Sequence, residues 1–145
     1  MQSKQLNDKP PTWALVLEPG EEAVASITRF AVEHRLDASQ LTAIGAFSRV
    51  TLGYFDIERR DYRRNRLDEQ VEVLALIGDI ALADGEPKLH AHVVVGRADG
   101  TAWGGHLLEG IVRPTLEVIL SESPGHLRRV FDEASGLPLI RPAAH

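Results

Sequence analysis

The spacing of apolar and polar residues changes several times along this chain, and the changes mark out its elements. Trp13-Ala14-Leu15-Val16-Leu17 is a short apolar run that predicts a buried strand, stopped at Pro19-Gly20. Val24, Ile27, Thr28, Ala31 and Val32 then recur at helical spacing, which predicts one amphipathic helix. Glu21 and Glu22 fall in its first turn, and His34 and Arg35 near its end, each with the charge that end of the macrodipole favours. From Leu41 the period becomes two. Leu41, Ala43, Gly45 and Phe47 alternate, followed by Val50, Leu52 and Tyr54 and later by Val71, Val73, Ala75 and Ile77. Apolar residues occupy both faces of these segments, so the strands are expected to be covered on both sides. Residues 80–82, 89–95, 101–111 and 115–120 read as four further strands. Asp84-Gly85-Glu86-Pro87 and Ala98-Asp99-Gly100 supply hairpin turns.

The ends are less regular. Residues 1–11 are polar and finish in Pro10-Pro11, which predicts a flexible arm ahead of a single domain over residues 12–145. Residues 127–140 contain Gly136 and Pro138 and are expected to make a short extended excursion on the surface. The whole reads as an α+β domain, a curved, mainly antiparallel sheet with one main helix packed on it.

Composition narrows the functional classes. The 145 residues are 43% hydrophobic and 26% charged, enough apolar material for one core without staples. Cysteine is absent, which removes disulfides, thiolate ligands and a cysteine nucleophile together. The first eight residues hold no apolar signal segment, and no run approaches the roughly 18 apolar residues of a membrane span. A cytoplasmic protein with no membrane contact is therefore expected. The net charge of -5 argues against duplex DNA, whose binders draw most of their affinity from Lys and Arg.

Leu89-His90-Ala91-His92-Val93 carries the most chemical information. Side chains two apart on a strand share a face, so His90 and His92 point the same way. A three-residue turn at Ala98-Asp99-Gly100 pairs Arg97 with Thr101, sets Val95 opposite Trp103, and places His106 opposite His92. Directly opposed residues have Cβ atoms roughly 5 Å apart, so three imidazoles converge. A two-residue turn would instead send His106 to the other face, unless a bulge at Gly104-Gly105 restores it. Neutral imidazoles suit zinc or another divalent metal, and three ligands leave one position open, as in catalytic sites. Without a metal, the same residues would be half-buried histidines bonded to backbone or carboxylates.

Other groups are weaker candidates. Glu72 and Glu109 are possible proton carriers beside a metal-bound water, and Arg49 and Arg113 possible carboxylate binders. Residues 59–66 hold five arginines in eight positions. Arg63, Arg64 and Arg66 are candidate phosphate contacts there, against the plainer reading of a solvated loop balanced by Asp68, Glu69 and Glu72. Trp103 is assigned to core packing or a subunit contact. No phosphate-binding glycine loop and no nucleophile elbow around Ser48 is present.

Four segments, taken in order, resemble the plant- and prokaryote-conserved (PPC) domain family. They are Gly45-Ala46-Phe47-Ser48-Arg49-Val50-Thr51-Leu52-Gly53-Tyr54-Phe55-Asp56, Glu72 to Ala81, Leu89 to Val93, and Gly104-Gly105-His106-Leu107-Leu108-Glu109-Gly110. The resemblance spans about residues 13–140. It implies an α+β fold with a mixed sheet and assembly into a homotrimer. Plant members carry an AT-hook for A/T-rich DNA, and prokaryotic members are often labelled DNA-binding by association. The hook's Arg-Gly-Arg-Pro core is absent here. The family is also similar in fold to acetolactate decarboxylase, whose zinc is held by a His-x-His pair and a later His, an order that His90, His92 and His106 follow. Fold alone does not carry a reaction over. Three readings stand: a trimeric binding or regulatory protein with a metal or small-molecule site; a metal-dependent lyase or hydrolase acting on a small carboxylated substrate; and a DNA-binding protein.

Overall fold

The computed structural model describes residues 1–142; residues 143–145 of the expected domain lie outside the described residues. Its elements in chain order are β1 (Gln2–Asp8), β2 (Pro11–Leu17), α1 (Ala23–His34), β3 (Ala38–Asp56) and β4 (Asp61–Leu67), then β5 (Val71–Ala83), β6 (Glu86–Gly96), β7 (Ala102–Glu122), β8 (Arg128–Asp132) and β9 (Leu137–Ile140). Sheet dominates more than an α+β label implies, and α1 is the one helix among the described residues. It is too short and too polar to cross a membrane, and no other described helix does so.

All ladders are antiparallel except β5 with β8, so the sheet is mixed. The first residues of β7 pair with β6 and its later residues with β3. Because β3 also pairs with β5, and β5 with β6, these four strands close a circuit. Leu41, Val73, Leu76, Val93, Val95 and Leu120 fill its inner side, in one core with Leu15 and Leu17 of β2. The curvature needs local breaks. Register shifts at Ala43/Gly45 let two apolar series run on as one strand, β3. Gly45 sits at φ 150°, and a Cβ there would run into the Thr115 carbonyl oxygen, so the crossing of β3 over β7 requires glycine.

Helix α1 starts one step later than the charge pattern predicts. Glu22 is the N-cap itself, its carboxylate accepting from the N–H groups of Val24 and Ala25 at 3.1 and 2.6 Å. The same carboxylate accepts from Gly110 N–H at 3.0 Å, which pins the helix start to β7. The buried face is Ala23, Ser26, Ile27, Phe30 and Ala31, one position behind the expected stripe, and Val32 is exposed. Phe30 explains the rotation, since its ring packs edge-on against Trp13 at 5.8 Å.

Two expectations are corrected and a third is made specific. The expected flexible arm is largely strand: β1 pairs with β2 along an edge, although all its side chains are exposed. A strand held by backbone pairing alone leaves no apolar alternation to read. The arginine segment is a loop only at Arg59 and Arg60, which lie in a turn; Arg63, Arg64 and Arg66 lie on β4, paired with the end of β3. The C-terminal excursion is a β8–β9 hairpin attached to β5.

Candidate metal centre

The β6–β7 hairpin has the three-residue turn. Gly100 lies at φ 82°, its N–H donates to Arg97 O at 2.9 Å, and Arg97 N–H donates to Thr101 O at 2.8 Å. The register that follows sets Val95 opposite Trp103 and His92 opposite His106. His90, His92 and His106 thus share one small volume on the outer face of the sheet. One nitrogen from each lies within 4.8 Å of the others. Ring centroids are 5.1, 5.2 and 5.4 Å apart, and Nε2 of His90 lies 3.2 Å from Nε2 of His92. Two nitrogens held at about 2.05 Å by a tetrahedral ion stand about 3.3 Å apart, so that pair already has ligand spacing.

The electrostatics also fit a cation. Burial lowers the His106 pKa to about 4, helped by positive charge on His90 or His92. Burial likewise lowers His90, with Arg129 and His92 adding to the effect and Asp79 opposing it. Both rings are therefore neutral at pH 7 and offer lone pairs. Nδ1 of His106 is buried and has no hydrogen-bond partner, a polar atom that needs one.

Across the ladders, His92 lies opposite Ile77 and His90 opposite Asp79. Thr42 and Gln40 of β3 continue these rows, followed by Ile119 and Ser121 of β7. These residues floor an open groove of about 590 Å³ with His90 and His92 at one end. Tyr62 of β4 closes the other side of the cluster, its ring 5.0 Å from His106 and packed over Gly53. Gly105 admits backbone rather than ligand, because a Cβ there would meet the Gly53 carbonyl at 2.7 Å.

The weaker candidates lie elsewhere. The Glu109 carboxylate is engaged by Arg49 at 3.2 Å. Glu72 is exposed and pairs with Gly96, at the far end of the β5–β6 ladder from Asp79 and His90. Arg113 is exposed. Arg63 binds Asp56 and Arg66 binds Asp68, each at 2.7 Å, while Arg64 is exposed. Trp103 is 40% exposed beneath the Arg97 guanidinium rather than in the core. Sequence reading passed over Asp79 and Tyr62. Counting the β5–β6 register back from the Asp84-Gly85 turn reaches Asp79 opposite His90; no comparable count reaches Tyr62.

The Plants and Prokaryotes Conserved (PCC) domain model matches residues 8–124. This chain belongs to that family. Among solved members of similar fold, a plant- and prokaryote-conserved protein from Pyrococcus horikoshii is 32% identical, with a TM-score of 0.85 over 92% of this chain and 93% of that one. A metal-containing protein from Archaeoglobus fulgidus is 35% identical, with a TM-score of 0.84 over 90% and 93%. A Bacteroides thetaiotaomicron protein named as a candidate for DNA binding is 25% identical, with a TM-score of 0.91 over 97% and 96%. Alpha-acetolactate decarboxylase from Bacillus subtilis shares the fold alone, at 14% identity and a TM-score of 0.52 over 76% of this chain and 51% of that one. In sequence, the PPC-type chain is 37% identical to the bifunctional protein GlmU of Synechococcus sp. (strain JA-3-3Ab). The match takes in 77% of this chain but only 17% of that relative, so the chain spans about a fifth of the curated relatives it matches.

Proposed function

We propose that this PPC-type chain is a binding or regulatory protein that holds one divalent ion, zinc first, on His90, His92 and His106. The observation that carries the reading is the convergence of three ring nitrogens within 4.8 Å, two of the rings held neutral by burial. The metal-containing Archaeoglobus relative supports it. Metal content of full-length protein purified without a histidine tag tests it. One ion per chain, lost in His92→Ala, is expected. Protein that neither retains nor takes up a stoichiometric divalent ion contradicts it.

The same outer face supports assembly as a homotrimer. Ile44 and Val94 stand exposed there, an apolar surface beside the groove that a second copy would cover. Sedimentation equilibrium is expected to give three times the 15.9 kDa chain mass, and a monomer at micromolar concentration contradicts it.

A second reading, a metal-dependent lyase or hydrolase for a small carboxylated substrate, is favoured by the groove beside the histidines. A divalent ion there would polarise a substrate oxygen or acidify a bound water. The chain's own part would be to hold neutral imidazoles in place, to offer Ile77 and Ile119 as an apolar floor, and to present Gln40 and Ser121 as polar anchors. DNA binding draws support from the Bacteroides relative's name. It is opposed by the net charge of -5 and by the ion pairs of Arg63 and Arg66.

A further inference from the structure

We propose that Asp79 is the positioning residue for His90, and that Arg129, delivered by the β8–β9 hairpin, holds Asp79 to that task. The inference rests on the metal reading above and deepens it. His90 faces two directions. Its Nε2 lies toward His92, while its Nδ1 lies 3.9 Å from Oδ2 of Asp79, directly across the β5–β6 ladder. A ring that donates Nδ1–H to a carboxylate is fixed in the tautomer whose Nε2 lone pair is free for a metal. At 3.9 Å the two groups are not hydrogen-bonded, and the proposal requires the gap to close to about 3 Å in the metal-bound protein.

The other oxygen of Asp79 is already taken. Oδ1 accepts from Nη2 of Arg129, whose Nη1 donates to Lys88 O at 3.3 Å. The Arg129 side chain is only 5% exposed, so its guanidinium is committed to these acceptors. With Oδ1 turned to Arg129, Oδ2 faces His90 and is placed to orient that ring. Without Arg129 the carboxylate would be free to turn away, and the support it gives His90 would be lost.

The hairpin that supplies Arg129 lies beyond residues 8–124, the stretch the family model matches. It joins the sheet through the short parallel ladder of Leu82 with Arg128 and Ala83 with Arg129, and by Leu82 N–H donating to Leu127 O at 2.9 Å. Val130 and Phe131 remain exposed on it, so the hairpin adds little to the core. Reaching Asp79 is its clearest consequence.

Zinc affinity of the full-length protein, measured by competition with a chromophoric chelator, tests the inference. Asp79→Ala is expected to weaken zinc about 10–100-fold, the usual cost of losing such a partner. Asp79→Asn should weaken it less, because the amide oxygen still accepts from Nδ1–H. Arg129→Ala should fall between wild type and Asp79→Ala, and Arg129→Lys should restore most of the loss. Arg141→Ala serves as the control. It breaks the 2.8 Å pair with Asp132 that ties the hairpin together and leaves Asp79 untouched, so affinity should not change. Nitrogen-resolved NMR of the zinc-loaded protein should show a slowly exchanging His90 Nδ1–H that is lost in Asp79→Ala. Wild-type affinity in a folded Asp79→Ala protein overturns the inference and leaves the metal reading standing. Equal losses in Arg141→Ala and Arg129→Ala also overturn it, by reducing Arg129 to a tether. A wild-type protein that binds no zinc ends both.

Discussion

The histidines and the arginines of this chain make opposite use of repetition. Five arginines crowd residues 59–66, yet on β4 Arg63, Arg64 and Arg66 are exposed, and Arg63 and Arg66 are spent on Asp56 and Asp68. The three histidines are sparse in sequence, but β6 and β7 bring them within reach of one ion. The arginines stay hydrated, where exposed ion pairs contribute little and are screened by salt. The histidines are partly desolvated, which keeps His90 and His106 neutral and makes their nitrogens available. Density along the chain is a poor guide to chemistry here. Convergence across a ladder is the better one.

Removing one convergent nitrogen should have the largest effect. His92→Ala is expected to weaken zinc by more than the roughly 100-fold that loss of a supporting partner reaches, measured by chelator competition. His34→Ala, on α1 and stacked on Phe30, should leave zinc affinity unchanged. Equal losses in both would break the comparison.

Disturbing the ladder without touching a histidine should come next. Gly105→Ala drives a methyl against the Gly53 carbonyl beside His106 and is expected to cost about 1–3 kcal/mol in urea unfolding, with a loss of zinc affinity. Arg64→Ala, on the exposed ribbon, should stay within about 0.5 kcal/mol.

The third test is pH dependence of the metal-free protein. The folded pKa of His106 lies near 4, below its unfolded value near 6.5. Between these values the unfolded chain binds more protons, so this group's contribution to stability is intact above about 6.5. It is lost as pH falls toward 4 and does not change below. His106→Gln should flatten that part of the profile, read from urea midpoints at several pH values. For zinc, proton competition at His90 and His106 should set in only below the ordinary histidine range.

The smallest effect is expected at the arginines. Duplex DNA should bind weakly, without sequence preference and with a steep loss in salt, and Arg63→Ala with Arg64→Ala and Arg66→Ala should change fluorescence anisotropy little at physiological salt. A tight, sequence-selective complex lost in that triple variant would reverse the ranking of the two regions.

The difference between the regions also explains what the sequence made legible. The His-x-His alternation put His90 and His92 on one face, while the turn at residues 98–100 left two registers for His106; the Arg97–Thr101 pairing with Gly100 at positive φ decides for the one opposite His92. Alternation reported the buried face along most of β2 and β3, but on β5 the register shift between Val73 and Ala75 turns Ala75 and Ile77 outward and buries Leu76 and Ile80 instead. Strand β1 was not legible, because it is held by backbone bonds and buries no side chain. Strand β4 was hidden because arginines on an edge ribbon look like a solvated loop. The true face of α1 was displaced by Phe30, which a stripe drawn from aliphatic spacing omitted. Arg129 was out of reach because its contact with Asp79 depends on where a terminal hairpin docks, and no local pattern encodes that.

X-ray absorption at the zinc edge of the loaded, untagged protein tests the central claim most directly. Three imidazole nitrogens at about 2.0–2.1 Å with one further light ligand are predicted, falling to two imidazoles in His92→Ala. A spectrum with fewer than three imidazoles, or one unchanged by His92→Ala, would contradict it.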